Sequence, residues 1–510
     1  MIKRHGAQTW RNVHVTQQTQ LDELIDIDNS AADGAAPTGF ARLAQAAGHF
    51  ETLIQEARQR GRRMRGLGSG WALTDIAVTD GWLINTKLLN GCFELTDRYF
   101  EAVYPAASRP YVLLAQCGIS VGELNVYLEV TAPTGIRRAL KTAGIGAGQT
   151  IAGAISGNTH GSAINFGSTP DFVVGLQLVT GSGRSLWIER ASHPVLNDEF
   201  VDRLGAERIR DDDVFNAALV SFGAFGIIAA LAIETDPLYQ LQFAPVRDVP
   251  HDALRQQLQQ FDFDDPPGLH HYEFVFDPYL QNGPAMEARA TRVEAAPAHP
   301  GSKPVWIVRS DQGFALGDKA SPAFLGIPLL TPAQKTAIQF KQYRQRCILS
   351  EVTGTPGQLF TATITYFEGY TESAIGVSLP DAAAMMEISA DVIRQMKLPA
   401  MSQVRVVHPT QALLGFTHLG PKTVIFEFGL VNDATFPAFE RKLTDALAAA
   451  RVAYTFHWSK NSGITPERLQ TMYGPSRIDR WREARRRVFR DDDDLMRVFE
   501  NDHLVRTGLA

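Results

Sequence analysis

The sequence predicts an α+β fold in two parts. The first half mixes helical with strand-like segments. The second half alternates strand-like segments with amphipathic helices, which is typical of an antiparallel sheet flanked by helices. A chain of 510 residues is also long enough for two domains. The composition, 45% hydrophobic and 20% charged, is that of an ordinary globular protein.

Three elements are predicted early in the chain. Apolar residues at helical spacing indicate a helix over Phe40–Gly61, which ends in glycine. The apolar run Tyr111–Gln116 is typical of a buried strand. Directly after it, Ser120 and Glu123 form a capping box that opens a helix through Tyr127.

The next predicted elements lead to a domain boundary. Residues 172–189 indicate a hairpin that turns at Gly-Ser-Gly, and 226–235 indicate a strand. Between them, Asp213 is expected to cap a helix through Val220. A change in composition near Pro237 suggests that the second domain begins there.

The second half has its own strands and helices. Its predicted strands are His271–Pro278, Ala362–Tyr370 and Thr423–Val431. Its predicted helices are Asp381–Met396 and 436–452, the latter with Pro437 in its first turn. Residues 297–304 are predicted to form a loop, and the acidic run Asp491–Asp494 to start a helix.

Composition excludes several classes of function. A net charge of −6 argues against a nucleic-acid surface, which needs a basic face. Three cysteines are too few for a disulfide scaffold or a zinc site, and no metal site is expected. No apolar run is long enough to insert into a membrane. The N-terminal MIKRHGAQTWRN lacks the apolar centre of a signal peptide, so a cytoplasmic enzyme is expected.

Two glycine-rich segments indicate an extended ligand. Residues 65–71 (RGLGSGW) suit a nest of backbone N–H donors for an anion. They lack the Gly-Lys-Ser/Thr ending of a P-loop and the spacing of a dinucleotide-binding fingerprint, and a tight turn between strands stays an alternative. Residues 144–162 contain more glycines than an ordinary turn requires. Such a segment is expected where the backbone lies along a large flat ligand that side chains would obstruct.

The order of four segments resembles the PCMH-type FAD-linked oxidases of the vanillyl-alcohol-oxidase superfamily, in particular the aldonolactone oxidase and alditol oxidase branch. Residues 63–76 resemble the branch's pyrophosphate loop, and 149–162 its second flavin loop. Residues 220–235 are similar to the segment that ends the FAD domain. FHWSKN, residues 456–461, is similar to the H-W-x-K motif that returns to the flavin.

The resemblance implies a two-subdomain PCMH-type FAD-binding domain over residues 1–236, to which the tail 454–510 returns. It implies a substrate domain over 237–453 with the antiparallel sheet. The implied FAD-binding residues are Arg65, Gly66, Leu67, Gly68, Ser69, Gly70, Trp71, Gly144, Gly148, Gln149, Thr150, Gly153, Ala154, Gly157, Asn158, His160, Gly161, Gly226 and Ile228.

Trp71 departs from the family pattern. It stands where many members of the branch carry the histidine that bonds covalently to the flavin, and indole offers no comparable nucleophile. FAD is therefore expected to bind non-covalently. Cys117 is interpreted as a small buried residue and His160 as a neutral imidazole that orders its loop, although either could in principle form the bond.

The catalytic candidates lie in the second half. MSQVRVVHP, residues 401–409, alternates like a strand, so Gln403 and Arg405 should share a face. The stretch resembles the S-E-x-R strand of alditol oxidases, with Gln403 in place of the glutamate. Lys460 matches the family's lysine beside flavin and substrate. A surface ion pair for Arg405, a solvated loop position for Lys460 and a plain hydrogen-bonding role without a catalytic part for Gln403 remain alternatives.

These candidates predict distinct roles. Arg405 and Lys460 would stabilise the donor oxygen as its carbon loses hydride. Gln403 would orient the donor, because an amide cannot act as a general base. Proton removal would fall to a water, to His408 or to an acid that the sequence does not place.

The predicted function is an FAD-dependent oxidase that moves hydride from a substrate C–OH carbon to flavin N5, with O2 as electron acceptor and H2O2 as product. The glycines of 144–146 fall about where the family admits oxygen. The apolar stretches 320–332 and 412–420 suggest either core packing or a pocket for an apolar alcohol-type substrate. The alternatives are a dehydrogenase with a quinone or cytochrome acceptor, and a flavin-fold binding protein without turnover.

Overall fold

The structure, a computed structural model, describes residues 1–30, 38–144, 146–260, 267–280, 283–294, 328–346, 351–360, 370–431 and 435–510. The strands in chain order are β1 Ile2–Arg4, β2 Gln8–Arg11, β3 Gln18–Leu21, β4 Glu23–Ile27, β5 Met64–Leu67, β6 Trp82–Asn85, β7 Cys92–Glu94, β8 Val112–Gln116, β9 Arg138–Ala139, β10 Val173–Val179, β11 Leu186–Glu189, β12 Glu207–Arg210, β13 Ile227–Glu234, β14 Asp236–Pro237, β15 Tyr239–Phe243, β16 Arg247–Pro250, β17 Leu269–Phe276, β18 Pro284–Glu294, β19 Val352–Gly354, β20 Tyr370–Ser378, β21 Ser402–Val407, β22 Thr423–Val431 and β23 Tyr454–Phe456.

The helices are α1 Gly39–Gln59, α2 Val121–Val126, α3 Ile151–Ser156, α4 Asp198–Leu204, α5 Asp212–Leu219, α6 His251–Gln260, α7 Pro332–Arg346, α8 Pro356–Leu359, α9 Ala382–Met396, α10 Thr435–Ala449, α11 Pro466–Phe489, α12 Asp493–Val498 and α13 Asp502–Thr507. A kink at Gly474, whose φ is 69°, divides α11 into two helical segments.

Three larger sheets organise these elements. A four-stranded sheet has the order β1-β4-β6-β5, in which β5 and β4 both run parallel to β6. A six-stranded sheet has the order β12-β11-β10-β13-β8-β7. A nine-stranded sheet joins β19-β15-β18-β17-β21-β22-β20-β23, with β16 paired to β18. The mixed helix and sheet architecture and the antiparallel second sheet confirm the predicted α+β class.

The core of the first half lies around the six-stranded sheet. All residues of β10 are buried, because its sequence VVGLQLV is almost continuously apolar. Its glycine serves packing: a Cβ at Gly175 would lie 2.3 Å from the indole of Trp187. The predicted hairpin is confirmed, with Leu176 paired to Ile188 across β10 and β11.

Most predicted elements match the structure closely. The capping box of Ser120 and Glu123 is present in full. The helix after β12 is shifted: Asp211, not Asp213, is its N-cap, and its carboxylate accepts a hydrogen bond from the backbone N–H of Val214. Asp213 instead pairs with Arg480 on the surface. Two aspartates that follow Asp211 made the first helical residue ambiguous from sequence.

The C-terminal tail joins both halves of the chain. Strand β23 pairs with β20 in the nine-stranded sheet, so residues 454–456 extend the second sheet. After β23 the chain turns back, and α11 packs against α5 while α12 packs against α1. The domain limits themselves stay a prediction.

Some predictions fall on residues outside the described ranges. They are the loop 297–304, most of the predicted strand 362–370, and the part of the apolar stretch that precedes Pro328. No helix in the described part of the chain combines the length and apolarity needed to cross a bilayer.

Candidate active site

A cavity of about 450 Å³ opens where the two glycine-rich segments face the nine-stranded sheet, a size typical of small-molecule sites. The predicted FAD-binding residues that line it are Arg65, Gly66, Leu67, Gly68, Ser69, Gly70, Trp71, Gly144, Gln149, Thr150, Gly153, Ala154, Gly157, His160, Gly226 and Ile228. All three predicted catalytic residues, Gln403, Arg405 and Lys460, line the same cavity. Gly148, Asn158 and Gly161 are not part of its lining.

The two glycine-rich segments are joined directly. The chain leaves β5 at Leu67 and passes so close to the second segment that a Cβ at Gly68 would lie 2.1 Å from Thr150 Oγ1. One residue later, Ser69 Oγ donates a hydrogen bond of 2.5 Å to the carbonyl of Gly148. Ser69 therefore links the loops instead of offering a free hydroxyl.

Trp71 accounts for two of the glycines. A Cβ at Gly146 would lie 2.6 Å from the indole of Trp71, and a Cβ at Gly148 would lie 2.5 Å from it. Bare backbone at these two positions makes room for the ring. The glycine at 146 therefore does not by itself indicate a path for oxygen, and Ile145 lies outside the described residues.

An unpaired hydroxyl tests whether these residues fit FAD. Thr150 Oγ1 is buried, and no hydrogen-bond partner for it exists among the described residues. Thr150 is the N-cap of α3 and lines the cavity, yet its side chain makes no capping bond. A buried donor without a partner is costly, whereas bound phosphate would satisfy it. Beside the open glycine backbone of both loops, this donor fits an anionic, extended ligand such as FAD.

Two predicted FAD-binding residues serve the fold with their side chains. The buried guanidinium of Arg65 donates to the carbonyls of Phe499 at 2.8 Å and Ile76 at 2.7 Å, and thereby fixes the tail to the first sheet. Burial, together with nearby Arg485, lowers the pKa of Arg65 to about 9. The amide of Asn158 donates to Ser168 and accepts from the backbone N–H of Phe416, each at 2.7 Å.

Strand register brings the catalytic candidates together with carboxylates. Gln403 and Arg405 lie on one face of β21, as the alternation predicts. Glu273 on β17 is the direct cross-strand partner of Arg405, and Glu427 on β22 is that of Gln403. Directly opposed residues share a face of the sheet. The register therefore places these four side chains side by side.

Ion pairs connect these side chains into a cluster. Arg405 Nε lies 3.3 Å from Glu427 Oε2 and 3.6 Å from Glu273 Oε2. Lys460 Nζ lies 3.1 Å from Glu372 Oε1 and donates a hydrogen bond to Glu427 Oε1. Gln403 Nε2 donates to Glu273 at 3.3 Å. Glu427, 3% exposed at its side chain, is thus shared by both cations.

The cluster fixes the charges of its members. Burial acts to raise the pKa of Glu427, but Arg405 and Lys460 outweigh it and hold this pKa far below its usual range. Burial alone would lower the pKa of Lys460, yet Glu372 and Glu427 raise it. Glu372 differs, because burial and the nearby Glu427 raise its pKa against the opposing effect of Lys460. It is therefore the carboxylate of the cluster most ready to take up a proton.

Two histidines beside the cluster are neutral. Burial lowers the pKa of His160 to about 3, and it also lowers that of His457, where Lys460 adds to the effect. His160 Nδ1 lies 3.0 Å from the carbonyl of Gly161, and its Nε2 faces Glu427 at 3.7 Å. The structure thus agrees with a neutral imidazole that orders its loop.

The carboxylates are the residues that sequence reasoning missed. Glu273 and Glu427 each interrupt an apolar run, and a charged residue on the buried face of a strand is a usable signal. Glu372 lies between Thr371 and Ser373 and gives no such signal. His408, named as a possible base, is exposed and absent from the cavity lining. Burial raises the pKa of the Cys117 thiol to about 12, so this cysteine stays protonated.

The apolar stretch 412–420 belongs to the core. Ala412, Leu413, Leu414 and Phe416 are buried, and none of them lines the cavity. Phe416 instead packs against the rings of His160 and His457. This stretch gives no support to an apolar substrate pocket.

Comparison with known proteins identifies an FAD binding domain in the first half of the chain. A family model for an FAD binding domain matches residues 42–189. The chain is 25% identical over 480 residues to L-gulono-1,4-lactone dehydrogenase of Mycobacterium tuberculosis, which covers 92% of this chain and 94% of that protein. It is 30% identical over 193 residues to D-arabinono-1,4-lactone oxidase of Eremothecium gossypii, 37% of this chain and 30% of that one.

Solved structures show the same fold. Cholesterol oxidase from B. sterolicum superposes with a TM-score of 0.70 at 14% identity, covering 99% of this chain and 97% of that chain. Xylooligosaccharide oxidase from Myceliophthora thermophila superposes with a TM-score of 0.57 at 12% identity, covering 95% and 92%.

The fold and the matched domain define an FAD-dependent oxidoreductase. The matched domain, the fold and curated relatives that include aldonolactone oxidases agree with the resemblance to PCMH-type FAD-linked oxidases that the motifs indicate. The predicted enzyme class, an FAD-dependent oxidase or dehydrogenase acting on CH–OH donors, is confirmed.

The contact of Trp71 with Gly148 predicts a specific steric conflict. Gly148→Ala should lower the free energy of unfolding by about 1–3 kcal/mol, since the added methyl overlaps the indole. In a Trp71→Leu background the same change should cost less, because the two positions are coupled. Chemical denaturation of the four proteins measures this coupling. Gly48→Ala, within α1 and with open space at its Cβ, is the control and should not destabilise. An equal cost of Gly148→Ala in both backgrounds would contradict the assignment.

Proposed function

We propose that this enzyme oxidises a C–OH group of a small, polar donor bound between the flavin and the charged cluster. The observation that carries the proposal is that Arg405, Lys460 and Glu372 line the same cavity as both glycine-rich loops. When bound there, FAD supplies the acceptor for the hydride that leaves the donor carbon.

Arg405 is free to bind the donor oxygen. Its ion pairs run through Nε, and no hydrogen bond from its guanidinium reaches any residue that the structure describes. Arg405 and Lys460 would stabilise negative charge on the donor oxygen. Fixed cations stabilise such a charge more strongly in a site partly shielded from water than in bulk water.

Glu372 is the proposed acceptor of the hydroxyl proton. Its Oε1 faces Lys460, its side chain is 22% exposed and lines the cavity, and its pKa is raised by burial. Glu427 is less suited, because its pKa is strongly lowered and both cations occupy it. Gln403 would orient the donor through its amide, as the sequence predicts.

The lining favours a neutral, hydroxyl-bearing donor. Two cations face three carboxylates, and the pKa of one of these, Glu372, is raised, so the cluster offers little net charge to attract an ionic substrate. The charged and amide groups instead provide donors and acceptors for several hydroxyls. The names of the curated relatives, a lactone dehydrogenase and lactone oxidases, agree with such a donor.

Dioxygen is the proposed electron acceptor. The solved relatives and the D-arabinono-1,4-lactone oxidases are oxidases by name. A dehydrogenase with a quinone or cytochrome acceptor is the second candidate, since the relative that covers most of the chain is named a dehydrogenase.

Variants of the two cations test the reaction. Arg405→Met and Lys460→Met should each slow anaerobic flavin reduction by about a hundredfold or more at saturating donor, with FAD content unchanged. Glu372→Gln should slow it too, and the loss should be partly relieved at high pH, where the donor hydroxyl ionises more readily. The exposed pair variant Arg480→Met is the matched control. If both cation variants reduce their flavin at the parent rate, the proposed active site is wrong.

Peroxide release during turnover in air separates an oxidase from a dehydrogenase.

FAD should be bound non-covalently. Indole at Trp71 is not a nucleophile, the Cys117 thiol stays protonated, and His160 is held by Gly161 and faces Glu427. Acid precipitation should therefore leave a colourless pellet and a yellow supernatant. Flavin that migrates with the protein on a denaturing gel would contradict this, and His160→Ala and Cys117→Ala would then identify the attached residue.

A further inference from the structure

We propose that Glu440, on α10 and outside the cavity, is a positioning residue. It fixes the position of Lys460 relative to Glu372 by binding the segments that carry them on the side away from the cavity. The inference rests on the proposed function, in which these two residues act on the donor. Glu440 does not line the cavity, so it would act through the backbone and side chains that it binds.

The two oxygens of Glu440 reach the neighbours of both catalytic residues. Oε1 accepts a hydrogen bond of 3.2 Å from the hydroxyl of Ser373, which directly follows Glu372 on β20. Oε2 accepts one of 3.0 Å from the backbone N–H of Gly463, three residues after Lys460. One carboxylate therefore spans the strand that carries Glu372 and the loop that carries Lys460.

Other contacts complete this support for the loop. The carbonyl of Gly463 accepts a hydrogen bond of 2.8 Å from Arg468 Nη1 on α11, so both the N–H and the C=O of this residue are bound. The N–H of Asn461 donates to the carbonyl of Glu372 at 2.8 Å. These bonds hold the loop at Asn461 and Gly463, and loss of Glu440 would remove one of them.

The charge of Glu440 determines how strongly it binds Ser373 and Gly463. Burial raises its pKa to about 7, against opposing effects of Ser373, Arg468 and Gly463, the groups that face it from β20, α11 and the loop. The ionised carboxylate accepts both bonds strongly. The protonated acid must donate its own O–H and becomes a weaker acceptor. The support should therefore strengthen as pH rises through about 7.

Stability has the opposite dependence on pH. The folded pKa of about 7 lies above the ordinary value of 4.5, so the neutral form is favoured in the folded state. The contribution of the neutral Glu440 to the free energy of unfolding is fully present below pH 4.5 and is lost as pH rises through about 7. Positioning and stability are thus expected to change in opposite directions, which a purely structural role would not produce.

Glu440→Gln tests the inference, because the amide has nearly the same shape, carries no charge and keeps only one acceptor oxygen. At pH 8 the variant should melt at a higher temperature than the parent. It should nevertheless reduce its flavin about tenfold more slowly, since a bond to a charged acceptor is lost. The parent rate should rise with pH through about 7 as Glu440 ionises. This contribution should be missing in the variant, where only the rise that comes from ionisation of Glu372 should remain.

Leu443→Ala provides the control on the same helix. Leu443 is fully buried and its side chain forms no hydrogen bond, so its truncation should destabilise α10 while the bonds of Glu440 to Ser373 and Gly463 remain. The reduction rate at temperatures below unfolding should therefore stay at the parent value. A rate loss in Leu443→Ala as large as in Glu440→Gln would overturn the positioning role.

Hydrogen exchange gives a readout that needs no donor. At pH 8 the amide of Gly463 should exchange faster in Glu440→Gln than in the parent, while amides of the six-stranded sheet keep their protection. If no donor reduces the parent flavin, the proposed function fails, but this exchange still decides whether Glu440 holds the loop. Unchanged exchange at Gly463 together with an unchanged rate and pH profile would overturn the inference.

Discussion

The carboxylate of Glu427 is the group on which the arrangement of the site depends. It is almost completely buried, and a buried charge is tolerated only when it is paired. Its partners come from separate parts of the chain, Arg405 from β21 and Lys460 from the loop after β23. By pairing with both, Glu427 brings the C-terminal motif to the central strands and keeps two cations charged beside the cavity.

The same principle explains how the tail is attached to the first half of the chain. Arg65 is buried, and it satisfies its guanidinium with backbone carbonyls, one of which belongs to Phe499. Further along, His503 and Arg506 on α13 both contact Asp75, just beyond the first glycine-rich segment. The tail that carries Lys460 is therefore fixed next to the glycine-rich loops, and the loops and the cluster face one cavity.

Local sequence patterns predicted the features that are set by residues close together in the chain, such as strand faces and helix starts. The alternation around Gln403 and Arg405 gave their shared face, and the capping box at Ser120 gave a helix start. The cluster itself was not predictable, because the pairing of Glu273, Arg405 and Glu427 depends on strand register between segments distant in the chain. Likewise, the packing of Trp71 against Gly146 and Gly148 was not predictable, because these residues lie far from Trp71 in sequence.

The rate of anaerobic flavin reduction in Glu427→Gln, measured by stopped flow at saturating donor, tests this role most directly. We predict a loss of about a hundredfold or more with FAD content preserved, because Arg405 and Lys460 lose the carboxylate that holds both of them beside the donor. We also predict a fall of about 3–5 kcal/mol in the free energy of unfolding, the usual cost of breaking a buried ion pair. A variant that reduces its flavin at the parent rate would contradict the central role of this carboxylate.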